Sequence, residues 1–378
     1  MAVEVPAKGL QLRSNVRRDG KLELSLVEVT VAEPGPDDVV VRVEATPINP
    51  SDLGLLVGGA DLSTAAAGGT AELPTVLADI PARALQALSA RVDLPLPVGN
   101  EGAGVVIAAG TGPQAQALLG RKVAIVGGEM YAQYRVLNAN QCSALPDEVD
   151  VRAGASSFVN PLTALGMTET MRLEGHQALV HTAAASNLGQ MLNRICLADG
   201  IPLVNIVRRE EQAELLRKLG AKYVVDSTHA DFRSNLVDAL AETKATLAFD
   251  AIGGGPLAGQ ILSAMEKAAS RDAPYSRYGS AVMKQVYVYG HLDMEQTTLP
   301  PTLGMAWSVG GWLLTYFLQR IGSDGRKRLQ QRVLDELTTT FASQYSEEIS
   351  LRQALDVPTL QAYNRKATGK KYLIRPHW

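Results

Sequence analysis

Between residues 178 and 289 short apolar runs alternate with longer stretches whose apolar residues recur at intervals of three and four. This alternation restricts the fold more than any other feature of the sequence. Ala178-Leu179-Val180-His181, Leu203 to Val207, Tyr223-Val224-Val225, Leu247-Ala248-Phe249 and Val286 to Tyr289 read as buried strands. Leu188, Met191, Leu192, Ile195 and Cys196 mark a first helix, and Ala213, Leu215, Leu216 and Leu219 a second. Phe232, Leu236 and Leu240 mark a third, and a fourth is predicted near 256–269. Each helix carries the chain back across the sheet, so successive strands run the same way. The order predicts an α/β fold with a parallel, doubly wound (Rossmann) sheet.

The turn after the first of these strands reads Ala183-Ala184-Ala185-Ser186-Asn187-Leu188-Gly189. A dinucleotide-binding turn needs small residues, because the backbone turns tightly, approaches a pyrophosphate and lets helix and strand pack closely. The spaced small residues are Ala183, Ser186 and Gly189. Ala184, Ser186, Asn187 and Leu188 are the candidate pyrophosphate contacts, at the amino end of a helix whose backbone N–H groups would face the anion. The second strand ends in Arg208-Arg209, where an NAD-specific site would place an acid; acids follow only at Glu210 and Glu211. A pair of guanidiniums there favours a 2′-phosphate, hence NADPH. Ala251, Ile252 and Tyr289 follow strand ends at the carboxyl edge, where doubly wound sheets bind ligands.

The first 150 residues read differently. Leu22-Leu24-Leu26 alternates, Val39 to Val43 is β-branched, and strands are predicted at 99–109, 123–126 and 131–137. Residues 58–75 are rich in Gly, Ala and Thr and read as a loop, followed by a helix at Ile80, Ala84, Leu85, Leu88 and Val92. The net charge of −3 gives no basic field for nucleic acid. Two cysteines exclude a disulfide framework and a four-thiolate zinc site. The stretch from Leu303 to Leu318 is uncharged, but Ser308 and Gly310-Gly311 dilute it. It reads as a buried helix at a junction between domains or protomers rather than a membrane span. The first 14 residues lack the apolar core of a signal peptide, so the cytoplasm is the expected compartment.

A set of short motifs resembles a known family. Val41-Arg42-Val43-Glu44-Ala45 followed by Ile48-Asn49-Pro50-Ser51-Asp52, then Gly99-Asn100-Glu101-Gly102-Ala103-Gly104-Val105-Val106, is similar to the catalytic domain of medium-chain dehydrogenases/reductases. Leu145-Pro146-Asp147, Thr163-Ala164, Leu219-Gly220-Ala221, Tyr289-Gly290 and Thr368-Gly369-Lys370 resemble the later marks of that superfamily, in its zinc-independent quinone oxidoreductase and enoyl reductase branch. The resemblance implies a mostly β, GroES-like catalytic domain over 1–150 with an inserted stretch near 58–94. It implies a dinucleotide-binding domain over 151–305 and a return to the catalytic domain over 306–378. It also implies transfer of hydride from NADPH to a quinone or an α,β-unsaturated carbonyl, a small-molecule substrate, and a homodimer without nucleic-acid or membrane partners. An enoyl-thioester reductase and a catalytically silent NADPH-binding protein are the alternatives.

Zinc-dependent relatives hold metal with Cys at the place of Asn49 and His at the place of Asn100. Neither amide suits zinc, and the five histidines show no paired ligand spacing. Glu101 reads as a structural carboxylate. The Tyr that many enoyl reductases carry shortly after the N-P-x-D motif is missing from Gly58-Gly59-Ala60-Asp61-Leu62. Asn49 is the family-matched donor to a developing oxyanion, or else a residue that stabilises the turn before Pro50. Asn160 and Thr163 match positions beside the nicotinamide, Gly290 follows Tyr289 at the sheet edge, and Lys370 resembles a C-terminal residue near the cofactor.

Overall fold

A computed structural model describes residues 5–378, which divide into two compact units: residues up to Val159 together with Leu337–Trp378, and residues Asn160–Glu336. In chain order, the first unit contains β1 (Lys8–Val16), β2 (Lys21–Thr30), β3 (Asp38–Pro47), α1 (Pro50–Leu56), β4 (Asp61–Gly69), β5 (Pro74–Asp79) and α2 (Ala82–Ala87). It continues with β6 (Leu96–Pro97), β7 (Glu101–Ala109), α3 (Pro113–Leu118), β8 (Lys122–Val126), β9 (Tyr134–Asn138), β10 (Cys142–Ala144) and α4 (Val151–Gly154). The helix α5 (Val159–Leu173) opens the second unit. There follow β11 (Leu179–His181), α6 (Asn187–Asp199), β12 (Leu203–Val207), α7 (Glu210–Lys218), β13 (Tyr223–Asp226), α8 (Phe232–Thr243) and β14 (Leu247–Asp250). The unit closes with α9 (Leu257–Ser270), β15 (Lys284–Val288), β16 (Trp307–Gly311) and α10 (Leu314–Asp335). The chain then returns to the first unit with β17 (Glu347–Ile349), α11 (Val357–Asn364) and β18 (Tyr372–Ile374).

The first unit is built of two sheets. One runs β4-β5-β2-β1-β6; the other runs β10-β8-β7-β3-β18-β17, with β9 also paired to β3. The alternation of Leu22, Leu24 and Leu26 does what its period requires: all three are fully buried while their neighbours are not. Leu12, Val16, Leu56, Val76 and Tyr131 join them in one core. The Gly/Ala/Thr stretch is not a loop. Residues 61–69 pair antiparallel with 74–79, and β5 pairs with β2, so the hairpin extends the sheet by two strands. Its outer strand is exposed along almost its whole length and carries small side chains. It therefore lacks the apolar alternation that announces a strand.

The second unit holds six parallel strands in the order β13-β12-β11-β14-β15-β16; the first five in sequence are those the alternating pattern predicts, and their doubly wound parallel arrangement follows it. Register places Leu179 beside both Leu203 and Leu247, and these three central strands, β11, β12 and β14, are buried on both faces. The uncharged stretch differs from expectation. Residues 307–311 form β16, an edge strand parallel to β15, and the helix begins only at Leu314. Gly310-Gly311 disfavour a helix, whereas Val309 packs against the sheet core as a strand residue. This sixth strand and α10 carry the second unit to Glu336, past the expected boundary at 305. Among the described residues no helix is long and apolar enough to cross a membrane.

Candidate active site

The chemistry-bearing residues fall into two groups, one in each unit. In the second unit the turn between β11 and α6 holds Ala183 at φ 49°, a left-handed conformation that glycine adopts without strain and alanine does not. The backbone then closes on itself. Ser186 caps α6, its Oγ accepting from the Gly189 N–H at 3.1 Å, and a Cβ on Gly189 would collide with the Ala184 carbonyl oxygen. Asn187 and Leu188 occupy the first turn of α6, so their amides belong to the positive end of that helix. This combination of a strained tight turn, an obligatory glycine and a helix amino end fits a dinucleotide pyrophosphate.

The rest of the carboxyl edge is equally ordered. The buried Asp250 carboxylate accepts from Thr182 Oγ1 at 2.7 Å and from the backbone N–H groups of Ile252 and Gly253 at 2.9 and 3.2 Å. Ala251 donates its N–H back to Thr182 Oγ1 at 2.8 Å. Asp250 thus fixes the loop after β14, a role that its place at the strand end signals only in part. Gly290 lies against Ala251, too close for a side chain without displacement. Tyr289 reaches His181, the last residue of β11. Asn160 and Thr163 are buried in the first turns of α5. Arg208 and Arg209 follow β12, both exposed, and among the described residues neither guanidinium enters an ion pair.

The first unit contains a buried cluster of ionisable groups. Asn49 is 1% exposed and is held at both ends. Its backbone N–H donates to Asp52 Oδ2 at 2.7 Å, and its side-chain Nδ2 donates to Glu101 Oε1 at 2.8 Å. The amide offered by sequence as an oxyanion donor is therefore already engaged by a carboxylate. Asp52 also accepts from the Asn100 N–H at 2.9 Å. Glu101 Oε2 accepts from Phe158 and Val159 N–H groups at 2.9 and 3.0 Å. Burial pushes the Asp52 carboxyl up to about 7, and Glu101 adds to the rise by repulsion. Burial raises Glu101 as well, against the pull of Lys371.

Lys371 was not singled out by sequence. The motif resemblance fell on Lys370, which is exposed; its neighbour is buried and donates from Nζ to Ser156 Oγ at 2.7 Å. Tyr345 donates to the same oxygen at 3.0 Å. Burial lowers Lys371 to about 8, while Glu101 and Asp52 hold it up. Lys371 stands immediately before β18, whose three residues are all buried, whereas Lys370 lies one residue further out; no motif reads which of two consecutive lysines the fold covers.

Comparisons with known proteins agree with this architecture. Residues 35–147 match the alcohol dehydrogenase GroES-like domain. A mitochondrial enoyl-[acyl-carrier-protein] reductase of Caenorhabditis elegans is 26% identical over 65% of this chain and 64% of its own length. A quinone oxidoreductase of Pseudomonas aeruginosa is 28% identical over 42% of this chain and 50% of its own length. The chain thus spans less than two-thirds of either relative. A crystal structure from Mesorhizobium loti, described as an NADPH:quinone reductase, superposes with a TM-score of 0.75 at 25% identity, covering 99% of this chain and all of that one. Residues 35–147 thus carry a GroES-like domain of the alcohol dehydrogenase type, and in sequence and in the order of its parallel sheet the chain is similar to quinone oxidoreductases and enoyl reductases.

Proposed function

We propose that the protein is a zinc-independent, NADPH-dependent oxidoreductase whose acceptor is a quinone or an α,β-unsaturated carbonyl. The observation that carries the reading is the β11–α6 turn, where Ala183 is left-handed, Gly189 has no room for a side chain and α6 presents its amino end. The bound nicotinamide supplies hydride. This chain's residues bind and orient: Ala184, Ser186, Asn187 and Leu188 at the pyrophosphate, Arg208 and Arg209 at the 2′-phosphate, Asn160, Thr163, Ala251, Ile252, Tyr289 and Gly290 toward the nicotinamide. Lys370, exposed like the two arginines, is assigned to the rim of the cofactor site on the motif resemblance alone. Asn49 and Asn100 stand where zinc-dependent relatives carry ligands, and both are tied into the Asp52–Glu101 network. Asn49, its amide polarised by Glu101, is the oxyanion donor of this reading.

An enoyl thioester as acceptor is the second reading, favoured by the enoyl reductases among the relatives. A homodimer is supported by β16, whose outer edge is unpaired among the described residues and is flanked by the exposed Met305, Trp307, Leu313 and Tyr316. We place the protein in the cytoplasm. Steady-state NADPH oxidation with a panel of quinones, enones and enoyl thioesters tests the reading. Acceleration by at least one quinone or enone is expected. Tight NADPH binding without turnover of any acceptor would make the chain a silent binder.

A further inference from the structure

We infer that His181 carries its ring hydrogen on Nε2 and donates it to the Tyr289 hydroxyl, so that Tyr289 presents its own O–H to the carboxamide oxygen of a bound nicotinamide. The ligand half of this inference rests on the function proposed above. His181 is fully buried, and its Nε2 lies 2.7 Å from Tyr289 Oη. The two rings stack with centroids 5.8 Å apart and planes 20° apart. Its other nitrogen, Nδ1, is buried and among the described residues has no hydrogen-bond partner.

Two arrangements of hydrogens fit the contact. If Tyr289 donates to Nε2, the imidazole hydrogen sits on Nδ1, a fixed and buried donor with nothing to meet. Orphaned buried N–H groups are rare, and an unused acceptor is less unfavourable. If Nε2 donates instead, Nδ1 is a bare acceptor and the spare hydrogen lies on the phenol. That hydrogen can rotate, and Tyr289 is only partly buried. Burial pushes His181 down to about 3, so the ring stays neutral, and pushes the Tyr289 hydroxyl well above its usual range, so it stays a donor.

The pair also lies where such a donor has a use. Register aligns His181 with Phe249 and Phe249 with Tyr287, so their side chains share one face of the sheet; Tyr289, two residues on, closes that row at its carboxyl end. Helix α5 covers this face, with Trp312 donating to Thr170 while its ring packs on Phe249. Helix α5 precedes β11 by a short connection and runs opposite to it, which brings Asn160 and Thr163 to the same carboxyl edge. Ligands of doubly wound sheets bind at that edge, next to the switch between β11 and β14.

Resonances of the histidine ring nitrogens in the full chain decide the tautomer without any ligand. His181 is assigned by its loss in His181→Gln. A neutral Nε2–H ring from pH 8 to pH 5 is expected; an Nδ1–H ring, or an imidazolium at pH 6, overturns the inference. Dissociation constants for NADPH and its thionicotinamide analogue, whose sulfur accepts hydrogen bonds poorly, decide the ligand half. Tyr289→Phe should weaken NADPH about tenfold and the thio analogue little. His181→Gln, which still offers an N–H, should stay near wild type, and His181→Leu should follow Tyr289→Phe. Equal weakening of both cofactors by Tyr289→Phe would show a merely structural role and overturn it. A wild type that binds neither cofactor refutes the functional reading and with it the ligand half, while the resonances still decide the tautomer.

Discussion

Asn49 Nδ2 donates to Glu101 Oε1 at 2.8 Å, joining the start of α1 to the start of β7 across 52 residues of sequence. The same carboxylate takes the N–H groups of Phe158 and Val159, so one buried side chain organises three segments of the first unit. Its charge is supported by Lys371.

Glu101→Gln tests that role. Glutamine has one carbonyl oxygen for three donors, and its NH2 must face either the Asn49 amide hydrogen or the two backbone N–H groups. An unsatisfied buried donor costs about 1–3 kcal/mol, and the loss of the charge opposite Lys371 adds to it. We expect the urea midpoint to drop by an amount equivalent to about 2 kcal/mol or more, with an unchanged slope. A loss within about 0.5 kcal/mol, the range of ordinary surface substitutions, would mean that water or a neighbour replaces the carboxylate.

Lys371 gives stability a pH dependence. Its folded value, about 8, lies below the ordinary 10.5, with burial as the main cause. The folded state therefore binds this proton more weakly than the unfolded state. The contribution is fully present above 10.5 and is lost as pH falls through about 8. Between pH 8 and 10 it should raise stability by up to about 1.4 kcal/mol per pH unit. Lys371→Met removes that slope, and other titrating groups cancel in the difference between the two proteins. Urea unfolding at pH 8, 9 and 10 should show wild type gaining on the variant at each step. A constant difference would refute the shift.

The β11–α6 turn predicts two substitutions of opposite sign. Ala183 at φ 49° bears about 1–2 kcal/mol of left-handed strain, whereas added chain entropy from glycine costs about 0.4–1 kcal/mol. Ala183→Gly should therefore stabilise the protein by roughly 0.5–1 kcal/mol. Gly189→Ala forces a methyl group into the Ala184 carbonyl and should destabilise it while weakening NADPH binding. Thermal unfolding with and without NADPH measures both. Destabilisation by Ala183→Gly would show that the turn relaxes in solution.

Much of the second unit was legible because its central strands are buried on both faces and its helices on one. Such segments advertise themselves as apolar runs of four or five residues and as stripes at spacings of three and four. Edge strands escaped. Strand β4 is exposed and made of small residues, and β16 is a mixture of Trp, Ser, Val and Gly that resembles a diluted apolar helix. The site divided in the same way. Local turn chemistry pointed to Ser186, Gly189 and the two arginines. The Glu101–Lys371 and His181–Tyr289 pairs join residues far apart in sequence, and only the fold brings them together.

Strand β16 predicts the oligomeric state. Its free edge and the exposed Trp307 and Tyr316 suit pairing with a second copy of the same strand. The wild type should elute as a dimer. The double variant Trp307→Glu, Tyr316→Glu should elute as a monomer, with its circular dichroism unchanged. A dimer that survives both charges would move the interface elsewhere.

Cofactor preference turns on Arg208 and Arg209. Strand β12 ends at Val207, and Arg209 is the residue that precedes α7, so both guanidiniums stand beyond the strand end, where a ribose 2′ substituent is read. The Arg208 N–H is occupied by Gln212 Oε1 at 3.1 Å, which fixes the backbone and leaves the side chain exposed. Glu210 and Glu211 lie in the first turn of α7, where the helix dipole stabilises them. Glu210 is further drawn to Arg217, away from acting as a ribose ligand. A 2′-phosphate carries nearly two negative charges, and each charge-assisted hydrogen bond to it is worth about 1.5–3 kcal/mol, or roughly 10–100-fold in affinity. Arg208→Ala or Arg209→Ala should therefore weaken NADPH by about tenfold or more and leave NADH nearly unchanged. Raised salt should narrow the preference, because the pair is exposed. Dissociation constants for both cofactors, in wild type and both variants at two ionic strengths, settle the matter. Equal weakening of NADPH and NADH, or a wild type with no preference, would remove the arginines from the cofactor site.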